Sequence, residues 1–278
     1  MDLLAAGGDK LSAIERWQIR TIQSTFNNDG VDRVVRFCQR NIGAHWIHWA
    51  TSNLHHIHHF ERVPQLSADD SAILVCNHRS FFDLYLITAE LIRRGMTQRI
   101  VFPVRSGFFY DSPLGFLVNG AMSFFAMYPP VFREASRAAL NAAGLEELVA
   151  LVGRRGTFVG IHPEGRRGTD PDARHLLPGQ TGVGRLVRRS TAVVIPAFTN
   201  GLLASDIVAQ IRGNLDGNGT PIHTVFGAPI DFGSLRERAP SPRLYREITD
   251  VVMAQIAALG EEEAVLRQEH AAQSKATG

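Results

Sequence analysis

From residue 71 onward the chain alternates short apolar runs, each closed by turn residues, with longer segments of helical periodicity. Ser71 to Cys76, Arg99 to Val104, Thr157 to Ile161, Ala192 to Phe198 and Ile222 to Phe226 read as strands. The segments 82–94, 135–153 and 180–189 between them read as helices. Parallel strands need long crossovers, usually helical, so this alternation predicts an α/β fold, a three-layer α/β/α domain around a mostly parallel sheet. Runs such as Ala72-Ile73-Leu74-Val75 are apolar at consecutive positions, as a strand buried on both faces requires.

The first sixty residues follow a different period. Val31, Val34, Val35, Cys38, Ile42, Trp46 and Trp49 fall on one stripe at 100° per residue, with Arg33, Arg36 and Arg40 opposite. Leu11, Ile14, Ile22 and Phe26 form a shorter stripe before it, and Asn27-Asn28-Asp29-Gly30 is the break, so an N-terminal helical pair is expected. Its tryptophan-bearing stripe either covers the sheet or lies in a bilayer surface. The segment from Pro242 to Ala258 is amphipathic through Leu244, Ile248, Val251, Val252 and Ile256, and beyond Gly260 a polar, frayed tail is expected. The organisation predicted is therefore helices over 1–60, a catalytic domain over 61–240, and a C-terminal helix with its tail over 241–278.

Several classes are disfavoured. The formal net charge is only +2, so no global field marks a nucleic-acid binder. Cys38 and Cys76 form no framework of spacings, which points to a reducing compartment rather than a disulfide scaffold or a cysteine zinc site. Residues 1–20 carry Asp2, Asp9, Lys10, Glu15 and Arg16 without an apolar h-region, so no cleavable signal is expected. The most apolar stretch, Leu114 to Phe132, is interrupted by Asn119, Gly120 and Pro129-Pro130, which argues against a spanning helix.

Two segments can carry chemistry. The first runs Cys76-Asn77-His78-Arg79-Ser80-Phe81-Phe82-Asp83, past the carboxyl end of a strand, where open α/β sheets bind ligands. An imidazole that donates one ring N–H to a carboxylate is held in one tautomer and can take a proton from a hydroxyl. Alternatively, Ser80-x-x-Asp83 caps the following helix and His78 is a loop residue. The second segment, Thr157 to Gly168, is an apolar strand ending in Pro163-Glu164-Gly165-Arg166-Arg167, read either as an anion pocket or as a turn with solvated charges.

Taken together the two segments resemble the glycerolipid acyltransferases, the family of lysophosphatidate and glycerol-3-phosphate acyltransferases. Asn77, His78, Ser80 and Asp83 match its first block, Pro163, Glu164, Gly165 and Arg167 its third, and Val193-Val194-Ile195-Pro196 its fourth. Arg133 stands for the arginine of the second block, and Arg105 takes the place of a basic residue that helps to hold the acceptor's phosphate. His162, Arg166 and Gly168 depart from the aromatic residue, threonine and serine of the third block.

The resemblance implies that His78 is the general base and Asp83 its orienting carboxylate. The acyl group moves from an acyl-CoA or acyl carrier protein thioester to a hydroxyl of 1-acyl-glycerol-3-phosphate or glycerol-3-phosphate. It also implies that Asn77 and Ser80 support the loop and that Glu164, beside Gly165, bonds an acceptor hydroxyl. Arg105, Arg133 and Arg167, with Arg166 as alternate, then compensate phosphate charge. The expected partners are the thioester, the phosphate-bearing lipid and a membrane surface, with no nucleic acid; the expected location is peripheral, on the cytoplasmic side of the cell membrane. No cofactor or metal is required. The alternatives are a thioesterase or lysophospholipid hydrolase using the same pair, disfavoured by the lack of a Gly-x-Ser-x-Gly elbow, and a non-catalytic lipid-binding relative. Gly179-Gln180-Thr181-Gly182-Val183-Gly184 lacks the preceding strand and the dinucleotide spacing and reads as a helix start. His55-His56-Ile57-His58-His59 has no cysteine or spaced carboxylate partners and reads as a wet or interfacial loop rather than a metal site.

Overall fold

The computed structural model describes residues 3–203 and 206–277. Seven strands are present: β1 (His55–His58), β2 (Ala72–Cys76), β3 (Arg99–Arg105), β4 (Met127–Val131), β5 (Thr157–Ile161), β6 (Val193–Asn200) and β7 (Ile222–Phe226). They form one sheet in the order β1-β7-β6-β2-β5-β3-β4. The registered pairs β1–β7, β3–β4 and β3–β5 are parallel, and β6–β7 is antiparallel. The expected α/β fold with a mostly parallel sheet is what the chain adopts. Every residue of β2 is buried, as its consecutive apolar positions predict for a strand covered on both faces, and β7 is buried throughout as well although it carries His223 and Thr224.

The chain divides into two compact units. One takes in the residues up to Trp46 with Leu66–Ala72 and Thr88–Gly160, and the other Ile47–Gln65, Ile73–Ile87 and everything from Ile161.

In the first unit the helix Ala13–Asn27 opens with a capping box, Glu15 N donating to Ser12 Oγ at 3.2 Å and Ser12 N to Glu15 Oε2 at 2.7 Å. Asn28 interrupts it and caps the next helix, Asp29–Cys38, by accepting from Val31 N at 3.1 Å, so the expected break falls where the Asn-Asn-Asp-Gly run places it. The segment 31–49 is not one helix: a π-helical stretch, Gln39–Gly43, separates Asp29–Cys38 from Ala44–Thr51. That turn aims the Gln39 amide at β3, accepting from Ile100 N at 3.0 Å and donating to Ile100 O at 3.1 Å. Val35 is buried, but Val34 (61% exposed), Phe37 (62%) and Ile42 (49%) face solvent. Arg99, 1% exposed, donates to Thr25 O and Oγ1 at 2.9 and 2.6 Å, lies 3.5 Å over the Phe26 ring and pairs with Asp32. Pro129 and Pro130 sit in β4, an edge strand, where a missing N–H breaks no inner ladder. That strand, and β1, were not expected from the sequence.

In the second unit the histidine run is a strand rather than a loop, a correction with a clear cause: His55–His58 pairs in parallel with Ile222–Val225, and each imidazole finds a neighbour there. His55 Nε2 lies 2.9 Å from Thr224 Oγ1, His58 Nε2 lies 3.1 Å from His223 Nδ1, and the His56 and His270 rings are 4.1 Å apart. The expected fraying beyond Gly260 is also overturned. One helix runs Pro242–Thr277, burying Leu244, Ile248, Val252 and Ile256 and then Leu259 and Glu263. Arg267, bonded to Glu263 Oε1 at 2.6 Å, donates to Pro221 O and Asn200 O at 2.9 and 3.0 Å, so the polar half is tied to the strand ends. The helix Thr181–Arg188 meets it at Gly184, where a Cβ would lie 2.0 Å from Tyr245 O.

Candidate active site

β2 ends at Cys76, and the next six residues form a loop that closes on the helix Asp83–Arg93. The loop begins with Asn77, fully buried, whose Nδ2 donates to Thr199 O at 2.8 Å while its Oδ1 accepts from Thr199 N at 2.8 Å. That reciprocal clamp fixes the loop to β6. Ser80, also fully buried, donates from Oγ to Leu203 O at 2.7 Å and accepts there from Phe82 N at 3.2 Å.

Between these anchors His78 and Asp83 meet. His78 Nδ1 lies 3.3 Å from Asp83 Oδ2, with the imidazole 20% and the carboxylate 0% exposed. The same oxygen accepts from Arg79 N at 2.7 Å and Ser80 N at 2.8 Å. The helix-capping role of Asp83 and the imidazole contact are therefore not alternatives, since one carboxylate serves both. A proton on Nδ1 makes the His78–Asp83 bond, and Nε2 is the basic nitrogen of that tautomer. Burial pushes the Asp83 carboxyl up to about 6, against the pull of its two backbone donors. Its second oxygen, Oδ1, is buried with no hydrogen-bond partner among the described residues.

The loop after β5 supplies the other wall. His162 stacks on His78 with ring centroids 3.8 Å apart and planes 9° apart. Its Nδ1 lies 3.2 Å from Cys76 O and 3.4 Å from Cys76 Sγ. Burial, and then the neighbouring His78, push the His162 imidazole down to about 3, so it is neutral at ordinary pH. Glu164, 3% exposed, accepts from His78 N at Oε1 and from Leu177 N at Oε2, both at 2.7 Å. Burial raises its carboxyl above the ordinary carboxylate value. Both oxygens thus hold backbone, and Glu164 fixes the position of His78. Gly168 N donates to His78 O at 2.9 Å, tying the two loops together. Gly165 has φ +68, a left-handed turn that favours glycine.

The arginines fall into two groups. Arg166 and Arg167 are exposed on the loop that carries Glu164. Arg79, between the base and Ser80, donates from Nη2 to Asp170 O, while its Nη1 is buried with no hydrogen-bond partner among the described residues. A Cβ at Gly168 would lie 3.0 Å from that Nη1, so glycine at the serine position makes room for the guanidinium. Arg105 and Arg133 belong to the first unit. Arg105 ends β3 opposite Val131 of β4, and Arg133 follows two residues after Val131, both exposed at the carboxyl edge of that strand pair. No local pattern in the sequence marks the role of Arg79 or the Thr199 clamp, and His162 stands out there only as a departure from the third block, a ring nitrogen two residues before Glu164.

This arrangement can deprotonate a hydroxyl at His78 and stabilise the resulting imidazolium through Asp83. A family model described as Acyltransferase matches residues 53–199, more than half of the 278. None of the curated proteins matches the chain. Among solved structures the chain is similar to the 1-acyl-sn-glycerophosphate (LPA) acyltransferase PlsC from Thermotoga maritima, at 20% identity and TM-score 0.51, over 83% of this chain and 82% of that one, a likeness of fold. With strand, loop and helix of the His78–Asp83 segment inside the matched region, the chain belongs to the acyltransferase family.

Proposed function

We propose that the protein transfers a fatty acyl group from an acyl-CoA or acyl carrier protein thioester to a hydroxyl of a glycerol-phosphate lipid precursor, 1-acyl-glycerol-3-phosphate or glycerol-3-phosphate. The observation that carries this reading is the His78–Asp83 contact of 3.3 Å, held from both sides by Asn77, Ser80 and Glu164. His78 takes the hydroxyl proton as the oxygen attacks the thioester carbonyl carbon. The tetrahedral intermediate collapses with cleavage of the C–S bond, and the imidazolium returns the proton to the leaving thiolate. Asp83 stabilises the imidazolium between these steps.

The exposed guanidinium group of Arg167, with Arg166 as alternate, offers forked donors for phosphate, and Arg105 and Arg133 are assigned to the same task on the strength of the block pattern. Apart from the thioester co-substrate the mechanism calls on no cofactor. Incubation with labelled acyl-CoA and a panel of acceptors tests the reading. Ester is expected only with a phosphate-bearing glycerol acceptor, and His78→Ala is expected to fall by about 10²–10⁴ in rate while remaining folded. Label released as free fatty acid without acceptor would make the protein a hydrolase, and an unimpaired His78→Ala would remove the base.

We place the protein at the cytoplasmic face of a membrane as a peripheral protein. No helix among the described residues is long and apolar enough to cross one. The support is Val34 and Phe37 on the helix Asp29–Cys38 and Ile42 on the π-helical stretch Gln39–Gly43, with Leu114 (59% exposed) and Leu117 (64%) on the helix Pro113–Ser123, apolar side chains turned to solvent in the first unit. Sedimentation with anionic vesicles is expected to weaken in Val34→Ser/Phe37→Ser, and equal binding of that variant would refute the assignment.

A further inference from the structure

We propose that His78, Asp83 and His162 form a binding site for a borderline divalent transition-metal ion of the Zn²⁺ type, and that its occupation blocks acyl transfer. The three side chains each bring one ligand atom to within 4.8 Å of the other two. Zinc bonds of about 2.0–2.2 Å to nitrogen and oxygen require closer spacing. Because the two imidazoles are stacked with planes 9° apart, their in-plane lone pairs do not converge, so binding requires the His162 ring to turn out of the stack. Two imidazoles and one carboxylate are the donor set of open zinc sites with a fourth position left for water or an anion.

Three further features fit a cation. Asp83 is fully buried and its Oδ1 has no hydrogen-bond partner among the described residues, leaving a carboxylate oxygen with an unanswered lone pair. The His162 Nδ1 lies 3.2 Å from Cys76 O. Donation of that N–H to the carbonyl leaves Nε2 as the ligand nitrogen, the outer-shell arrangement usual for metal-binding histidines. The scaffold holds two of the ligands, Asp83 through Arg79 N and Ser80 N and the His78 backbone through Glu164 Oε1 and Gly168 N, and leaves the His162 ring as the one that moves.

The third block of the family this chain resembles carries an aromatic residue where His162 stands, and such a ring can stack on the base without offering it a second ligand. Here the stacking partner is itself a nitrogen donor. A metal bound to His78 occupies a ring nitrogen that the base needs or breaks its bond to Asp83, so binding and turnover exclude each other. The blocking part of the inference rests on His78 being the base, whereas the binding part does not.

Chelator-treated full-length protein, titrated with ZnCl₂ by calorimetry and with CoCl₂ by visible absorption, reads binding without reference to activity. One equivalent of Zn²⁺ is expected to bind tightly, and Co²⁺ is expected to give the intense absorption of a four-coordinate ion. His162→Phe, which keeps a ring beside the base, is expected to lose at least 10-fold in Zn²⁺ affinity, and its own metal-free rate, whatever its size, is expected to be inhibited only at correspondingly higher Zn²⁺ than the wild type's. His162→Leu provides the same comparison should the phenylalanine variant not fold. Equal Zn²⁺ affinity of wild type and both variants would place the ion on other histidines and overturn the site. Stoichiometric binding lost in the variants but without inhibition of the wild type would overturn the blocking claim. An active His78→Ala would instead refute the base, leaving the calorimetric comparison intact as the measure of the site.

Discussion

Replacing Asn77 with alanine removes the clamp between the catalytic loop and β6, and its cost follows from the atoms left behind. Thr199 N carries one proton, directed to Asn77 Oδ1 at 2.8 Å, and Thr199 is fully buried. Without an acceptor that N–H costs about 1–3 kcal/mol, and loss of the neutral bond from Asn77 Nδ2 to Thr199 O adds about 0.5–1.5 kcal/mol. The total of about 1.5–4.5 kcal/mol is a large part of the ~5–15 kcal/mol that holds a typical fold. At roughly 2.1 cal/mol/K of unfolding entropy per residue, it corresponds to a fall in Tm of roughly 3–8 °C for a chain of this length. Urea denaturation followed by circular dichroism measures it. Thr199→Val is the control: it deletes only the hydroxyl, 3.1 Å from Thr224 Oγ1, keeps the backbone clamp and is expected to cost about 1 kcal/mol. Activity measured well below the Tm is expected to fall at least ~10-fold in Asn77→Ala, because an ångström of displacement at a base is that costly. An Asn77→Ala protein no less stable than Thr199→Val, or one destabilised yet fully active, would refute the argument.

Two further outcomes concern pH and charge. His223, fully buried among His56, His58, His270 and Arg267 with Glu263 nearby, is pushed down to about 3 by burial and then by Arg267. The fold holds it neutral while the unfolded chain takes up a proton near 6.5, so stability declines as pH falls from about 6.5 toward 3. His223→Asn is expected to flatten that part of the decline in urea midpoints, and an unchanged slope would exclude the residue. In the first unit burial alone would raise the Asp32 carboxyl, but hydrogen bonds from Arg36 and Arg99 outweigh it and hold it below 3.8. Its contribution is therefore complete above 3.8 and lost as pH drops through its folded value. Asp32→Ala strands the Arg99 guanidinium with only Thr25 and is expected to cost about 3–5 kcal/mol, part of it recovered in Asp32→Ala/Arg99→Met. A double-mutant cycle showing no coupling would contradict this.

What the sequence disclosed depended on whether the signal was local. β2 and β5 were legible because they are apolar over most consecutive positions, β7 because a short run with β-branched and aromatic residues is closed by turn residues, and the start of the helix Asp83–Arg93 because Ser80 and Asp83 bracket it. β1 and β4 were hidden because His-His-Ile-His and Met-Tyr-Pro-Pro-Val have no strand signature; each is an edge strand whose partner, not its composition, makes it a strand. The tail beyond Gly260 misled because Gly in a polar stretch marks a helix end, whereas here it lets the helix approach the Phe198 ring, 2.9 Å from where a Cβ would be. In the site, His78 and Asp83 were readable from position and spacing. The double engagement of Glu164 by His78 N and Leu177 N, the His162 stack and the Thr199 clamp join residues far apart in sequence, and no local pattern records them.

The pairing of β1 with β7 has a consequence for synthesis. His55 is in register with Ile222, and Asn77 waits for Thr199, so the amino-terminal pieces of the second unit precede their partners by more than a hundred residues. At translation rates of about 5–20 residues per second, the strand His55–His58 is on the nascent chain for roughly 10–30 s before its neighbour exists. During that interval the greasy run Ala72–Cys76 and its loop have no β6 to settle on. A ribosome paused before residue 199 therefore displays an apolar strand with one of its two sheet neighbours still missing, an interval in which the nascent chain is exposed to aggregation.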